Sequence, residues 1–530
     1  MNQTSSASLA IVNAKVWTGD STRPWAEAVA VNGDTIAAVG SSAEVRKMNA
    51  TRVVDARGGM VTPGFIDAHV HFITGGFRLS SVQLRDARTP EEFVRRIREF
   101  AATVPAGTWI TGGDWDHEQW GGRLPERSWI DSITPEHPVW VNRLDGHMAL
   151  ANSAALRAAG VTSATRDIEG GAIVRAGREP TGILKDNAQS LVERAVPPPP
   201  AFLQDGALDT AMAYVASQGV TSVHNMGSWE DLAIFRRAHD AGRLKTRIYA
   251  AVPLASWEQL RDTVRARGTG DEWLRIGALK GFVDGSLGSH TAAMLEPFTD
   301  APNDRGLFVN MPEDLYRWTS GADKAGLHVM IHAIGDRAIR TLLDIFERVV
   351  RENGQRDRRF RMEHAQHIAP ADIPRFAASG VIASMQPYHA IDDGRWAEKV
   401  IGPERSRGTY AFRSLLDAGA TLAFGSDWFV APPTPLEGMY AAVTRRTLDD
   451  RNPGGWVPGQ KISVEEALRA YTIGSATASF EEARKGSLTR GKLADLVLID
   501  RDLTTIPPES IRDARVTMTV VGGRVVYERQ

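Results

Sequence analysis

The stretch Val61-Thr-Pro-Gly-Phe-Ile-Asp-Ala-His-Val-His-Phe72 decides how the rest of the chain is read. Pro63-Gly64 punctuates it, and Phe65-Ile66 open an apolar run that ends on His69-Val70-His71, so the segment reads as a turn running into a short buried strand. Side chains two apart on a strand share a face, which sends the imidazoles of His69 and His71 one way and Val70 the other. Two neutral imidazoles placed side by side can hold a transition metal. Such a triplet is more often a surface or packing feature than a metal site, and it gains meaning only if further ligands come from other strand ends.

Working outward, the chain alternates strands with amphipathic helices, the pattern of a parallel α/β fold. After the opening strand, apolar strand segments are predicted over 220–225, 247–252, 275–283, 328–332, 360–364, 381–386 and 421–427. Helical spacing is predicted over 90–104, 205–218, 229–241, 256–267, 312–325, 336–353, 371–379 and 406–418, with Thr89 as an N-cap for the first. Eight parallel strands with interleaved helices point to a (β/α)8 TIM-like barrel, whose chemistry sits at the C-terminal strand ends. Both termini have a different character. Residues 8–60, with the Asn32-Gly33-Asp34 turn, and the segments 494–500 and 516–527 read as short strands, predicting one small β-sandwich built from both chain ends. The domain division expected is therefore 1–61 with 480–530 for the sandwich, and 62–479 for the barrel. An irregular, Gly- and Trp-rich insertion at about 73–200 closes on Pro197-Pro-Pro-Pro200.

The predicted strand ends carry polar residues where apolar ones would continue a core. Strand one ends in His69 and His71, strand four in Lys280, strand five in His332, strand six in His364 and strand eight in Asp427. Each has a bland reading: a snorkelling lysine, hydrogen-bonded core histidines, an N-capping aspartate. Together at one barrel mouth the bland readings become improbable. His367, three residues past His364, competes for the sixth-strand position; His364 is preferred because it closes the strand with the parity of Phe360 and Met362.

Composition narrows the function classes. Sixty-two basic against 64 acidic residues give a formal charge of -2, so no overall field draws the chain to nucleic acid or to an anionic membrane. The absence of cysteine excludes disulfides, thiolate metal ligation and a cysteine nucleophile, leaving His, Asp, Glu or a modified Lys to hold any metal. The opening Met1-Asn-Gln-Thr-Ser-Ser-Ala-Ser8 has no basic or apolar signal region and no run of about 18 apolar residues occurs, so a cytoplasmic location is expected.

These strand-end residues, with the split β-unit, resemble the amidohydrolase superfamily. More narrowly, Leu279-Lys-Gly-Phe-Val-Asp-Gly-Ser-Leu-Gly288, Met330-Ile-His-Ala-Ile-Gly-Asp336 and Arg361-Met-Glu-His-Ala-Gln366 resemble the YtcJ-like branch that includes N-substituted formamide deformylases. Gly113-Asp-Trp-Asp-His117 and Asp145-Gly-His-Met-Ala-Leu-Ala-Asn152 in the insertion share the likeness, which runs from Val12 to the last strand. His290 stands where the family pattern has arginine.

The resemblance implies a hydrolase that cleaves a non-peptide C–N bond, in an amide, N-formyl or cyclic amide, with metal-activated water. A deaminase or an ester or lactone hydrolase on the same site is the alternative, and a non-catalytic binding protein a remote one. It implies one or two divalent ions, with zinc the expected metal, held by His69, His71, Lys280, His332, His364 and Asp427. Lys280 is expected to be N6-carboxylated, since an ammonium cannot ligate. Asp427 is also the expected catalytic residue, taking a proton from the attacking water and delivering it to the leaving nitrogen. Trp115, His117, His147, His224, Asp284, His290, Gln386 and Trp428 are candidates to contact substrate. The expected partner is a small molecule with an apolar or aromatic group, suggested by loop tryptophans, and a homodimer is the assembly considered.

Overall fold

In the computed structural model, which describes residues 7–529, eight parallel strands lie side by side in the order in which they occur in the chain. They are β1 (Phe65–Val70), β2 (Val220–Met226), β3 (Arg247–Pro253), β4 (Leu274–Phe282), β5 (His328–Ala333), β6 (Arg361–His364), β7 (Ile382–Met385) and β8 (Leu422–Phe424). All are almost wholly buried, which is why they read as continuous apolar runs. The fold is a (β/α)8 barrel.

Helices between the strands present one apolar face to the barrel. In Asp336–Asn353 the buried positions Ile339, Leu342, Leu343, Phe346 and Val349 recur at helical spacing, and Phe346 stacks on Phe360 with ring centroids 4.4 Å apart. Each large side chain so buried contributes about 1.5–3 kcal/mol relative to exposure. The predicted helix 406–418 is shorter than expected. Ala397–Ser406 is kinked at Gly402-Pro403, Tyr410 turns the chain at φ 49°, and helix resumes only over Phe412–Asp417.

The barrel closes past the end of β8. Asp427 N–H donates to His69 O at 2.7 Å, His71 N–H donates to Trp428 O at 2.6 Å, and Val70 bridges Trp428 in parallel. Buried Asp67 ties the same seam, accepting from the backbone N–H of His69 (3.2 Å) and Ser426 (2.9 Å) and from the Ser426 hydroxyl (2.5 Å). The chains approach so closely that a Cβ on Gly425 would lie 2.6 Å from His69 N.

The termini supply two further sheets. One orders Thr35–Gly40, Ala28–Asn32, Leu9–Val12 and Arg52–Asp55; the other orders Arg524–Glu528, Val516–Val521, Leu496–Ile499, Met60–Pro63, Lys15–Trp17 and Trp25–Ala26. They share an apolar core in which Leu9, Val29 and Val61 meet Leu496, Met518 and Val520. The stretch 9–17 holds two strands, Leu9–Val12 and Lys15–Trp17, because Asn13 at φ 55° turns the chain from the first sheet into the second. This unit docks under the N-terminal ends of the barrel strands. Arg247, the first residue of β3, makes a bidentate pair with Asp495 at 2.7 and 3.0 Å, and the Thr519 hydroxyl donates to Ala216 O.

The insertion is more regular than its sequence suggests. Gly171–Ala176, Glu179–Asp186, Met148–Ala151, Val139–Arg143, Ile110–Trp115 and Val82–Gln83 form a mixed six-stranded sheet over a core that includes Phe93, Ile97, Trp115, Val141 and Ile183. Gly112 and Gly113, at φ 93° and 99°, break the pleat of one strand and hide its period. The turn between Val139–Arg143 and Met148–Ala151 carries Arg143, Asp145 and His147 over the barrel mouth, into the cavity that His364 and Asp427 line. Among the described residues, no helix is long and apolar enough to cross a membrane.

Candidate metal centre

Strand β1 delivers His69 and His71 on one face, and both Nε2 atoms approach Asp427 Oδ1, at 3.4 and 3.3 Å. The His364 ring lies 4.8 Å from that of His69 and 4.5 Å from that of His332. Lys280 Nζ, from β4, is 3.1 Å from His69 Nε2. The structure thus brings His69, His71, Lys280, His332, His364 and Asp427 together at the mouth.

Two of these positions depend on unusual backbone. Alternation along β6 turns Phe360 and Met362 outward to the helices and Arg361 and Glu363 into the barrel, so simple parity would have sent His364 outward as well. Left-handed backbone at His364 (φ 72°) and Ala365 (φ 43°) re-aims the ring toward Asp427, which is itself left-handed at φ 59°. Non-glycine residues held there cost of order 1–3 kcal/mol each and cluster at functional sites. The parity argument for His364 therefore fails, although the ring reaches the site. His367 does not: it bonds Thr409 Oγ1 at 2.9 Å and lines a separate surface cavity beside Arg405.

The imidazoles are prepared for ligation. His69 Nδ1 donates to Glu363 Oε2 at 2.6 Å, His364 Nδ1 to Gln386 Oε1 at 2.8 Å and His332 Nε2 to Gly285 O at 3.0 Å, so each keeps a lone pair on its other nitrogen. Burial, with the Lys280 charge beside it, lowers His69 to about 4, and burial holds His332 and His364 well below the ordinary histidine value. All three are neutral at pH 7. Burial alone would raise Asp427, but His69, His71 and His364 outweigh it and hold the carboxylate well below its usual range. Burial is likewise opposed at Glu363, which Arg361 and His69 keep ionised.

Asp427 Oδ1 is buried without a hydrogen-bond partner, a costly state for a carboxylate oxygen unless something else meets it. Ligand atoms of His69, His364 and Asp427 lie within 4.8 Å of one another. Bonds of 2.0–2.2 Å in tetrahedral array place ligand atoms roughly 3.3–3.5 Å apart, which is the spacing between Asp427 Oδ1 and the two β1 histidines. The donor set fits a divalent ion such as zinc. Lys280 as a free ammonium points at the same His69 lone pair; burial lowers it only to about 8.

The cavity beside this cluster is lined by Asp427, His332, His364 and His147, and further out by Arg143, Asp145, Ser286, Asp393 and Trp396. Of the candidates for substrate contact, only His147 lies on this wall; its Nδ1 bonds Asp186 Oδ1 at 2.7 Å. Trp115 is fully buried in the insertion core with its indole N–H on Val141 O, and Trp428 is buried between Phe72 and Tyr214. Neither is an exposed loop aromatic; the tryptophan on the wall is Trp396. His117 is buried against Arg143 Nε. His224 lies beneath the cluster, taking a hydrogen bond from Arg361. Asp284 clamps the backbone N–H groups of Ala293, Ile334 and Gly335, His290 pairs with Asp300 over Phe298, and Gln386 orients His364. The sequence reading gives no site role to Arg361, Glu363, Arg143, Asp145 or Asp393, although three of them stand in the motifs that carry the resemblance. Arg361 and Glu363 had a signal: two charged residues spaced by two on a barrel strand must both face its interior.

A (β/α)8 barrel that gathers neutral imidazoles around an ionised aspartate at its mouth has the architecture of a metal-dependent hydrolase. The chain belongs to the amidohydrolase family, whose profile matches residues 52–527. It is 41% identical to Protein LONG AFTER FAR-RED 3 of Arabidopsis thaliana (98% of this chain, 92% of that one) and 31% identical to YtcJ of Bacillus subtilis (95% and 96%). It is also 31% identical to the N-substituted formamide deformylase of Arthrobacter pascens, over 98% of both chains. Among solved structures, an uncharacterized metal-dependent hydrolase from Pyrococcus horikoshii superposes with a TM-score of 0.76 at 27% identity, over 94% of this chain and 99% of that one.

Proposed function

We propose that this protein hydrolyses a non-peptide C–N bond of a small molecule, an amide or N-formyl compound, in a divalent-metal-dependent reaction. The observation that carries the reading is the buried, unpartnered Asp427 Oδ1 set at ligand spacing from His69 and His71. The likeness to a formamide deformylase over the whole chain supports an N-formyl substrate. His69, His71, His364 and Asp427 would hold the ion, with His332 and a carboxylated Lys280 as further ligands if two ions bind. The chemistry such an ion would supply is a water whose pKa is brought to about 7 and Lewis acidity toward the substrate carbonyl. The rest falls to the chain's own groups. Asp427, ionised and at the cavity wall, accepts the proton of the attacking water and returns it to the departing nitrogen. Glu363 fixes the His69 tautomer, and Arg361 keeps Glu363 charged. As part of the same reading, the chain divides into a sandwich of residues 1–61 with 480–530 and a barrel of 62–479.

The test is metal-dependent turnover of N-benzylformamide. Chelation should abolish release of formate and benzylamine, and zinc should restore it; full turnover by demonstrably metal-free protein sinks the proposal. Ammonia released from a primary-amine or amidine substrate, with N-benzylformamide left intact, would move the reaction to a deaminase.

A further inference from the structure

The outer part of the cavity has a charge imbalance that the metal chemistry does not use. Three carboxylates line it beyond Asp427: Asp145, Asp392 and Asp393. Asp145 pairs with Arg143 Nη1 at 2.6 Å, and Asp392 pairs with Arg395, which also reaches Asp116 at 3.1 Å. No basic side chain among the described residues comes within salt-bridge distance of Asp393. Its Oδ2 accepts two neutral donors instead, Gln366 Nε2 at 2.8 Å and the buried Tyr410 hydroxyl at 2.6 Å. These two bonds brace one oxygen and fix the carboxylate plane, while Oδ1 makes no hydrogen bond within the protein and Asp393 forms part of the cavity wall. The indole of Trp396, one turn further along the chain, stands on the same wall.

We propose that Asp393 is a specificity residue, and that the substrate carries, away from its scissile bond, a protonated amine that pairs with the free Asp393 oxygen. A braced carboxylate with one open oxygen is preorganised for a single cationic donor. Burial and the neighbouring Asp392 push the Asp393 carboxyl to about 7 against the pull of the Tyr410 hydroxyl and of Arg143 and Arg395, neither of which is close enough to serve as a paired counter-ion. Supplying that counter-ion is what the substrate ammonium does.

The inference rests on the amide-hydrolase reading, and its test separates the two. Zinc-loaded wild type and Asp393→Asn are compared on N-[4-(aminomethyl)benzyl]formamide and its uncharged counterpart N-(4-ethylbenzyl)formamide, by turnover and by calorimetric binding. Wild type should favour the charged probe by about 10- to 100-fold, the range for a hydrogen bond to a charged group, and Asp393→Asn should bring the ratio toward one. Calorimetry reads that preference without turnover, so binding preference with no hydrolysis of either probe defeats the reaction assignment and leaves the specificity assignment standing. A wild-type ratio near one, or a preference that survives in Asp393→Asn, overturns the role of Asp393. Asp393→Ser is read the same way if the Asn variant does not fold.

Discussion

At the scale of single residues, Asp427 is asked to ligate and to shuttle a proton, and Asp427→Asn separates the two. The amide keeps a coordinating oxygen but cannot cycle a proton, so kcat should fall by about 10²-fold or more with metal still bound. A substrate with a good leaving group should lose much less. Equal loss on both substrates, metal content unchanged, would reduce Asp427 to a ligand. The buried imidazoles make a separate prediction about acid. His69 drops from an ordinary value of about 6.5 to about 4, and His332 and His364 shift in the same direction. Between those pH values the unfolded chain binds protons that the fold refuses, so stability rises with pH across this window and falls as pH drops from about 6.5 toward 4. Urea midpoints of metal-free protein should show this decline above pH 4.5, before ordinary carboxylates titrate; a flat profile there contradicts the burial of neutral histidines. The residues legible in the sequence were those ending an apolar strand. Glu363 and Arg361 belong to the Arg361-Met-Glu-His-Ala-Gln366 likeness yet carry no role in the sequence reading because they sit within the strand rather than at its end, and the aim of His364 depends on a backbone dihedral that no residue pattern announces.

Among the elements, the β1/β8 seam is where architecture and site coincide. β8 is three residues long and its pairing to β1 is completed by Ser426, Asp427 and Trp428, so the bonds that close the barrel also place the proposed ligand. Gly425→Ala would thrust a methyl group to within 2.6 Å of His69 N, a backbone atom that cannot swing aside. We expect a loss of about 1–3 kcal/mol and, beyond it, reduced zinc stoichiometry as His69 and Asp427 part. Wild-type stoichiometry in the folded variant would show that the seam does not set the ligand spacing. The eight strands and most helices were readable because each barrel strand is buried on both sides and each helix on one. The insertion sheet was not: its strands mix parallel and antiparallel neighbours, are interrupted by 3₁₀ turns, and include glycines at positive φ, so no single period survives. Trp115, which its loop-like setting marks as a substrate contact, belongs instead to that sheet's core for the same reason.

For the molecule as a whole, the buried Arg247–Asp495 pair joins barrel and sandwich far from the mouth. Arg247→Ala strands a buried carboxylate that otherwise also accepts from Gly522 N–H, and should destabilise the protein by about 3–5 kcal/mol, read as a lower denaturant midpoint. kcat of the folded fraction should not change. An unaltered midpoint would mean that solvent or another donor replaces the guanidinium. The same sandwich sets a problem of timing for synthesis. Met60–Pro63 lies between Lys15–Trp17 and Leu496–Ile499, so one edge of the first-made sheet waits for a partner near the other end of the chain. The roughly 430 residues between take about 20–90 s to translate. Throughout that interval a nascent apolar strand is open to pairing with other chains, so whatever shields that edge until residues 496–499 are made bears on how much of the protein folds.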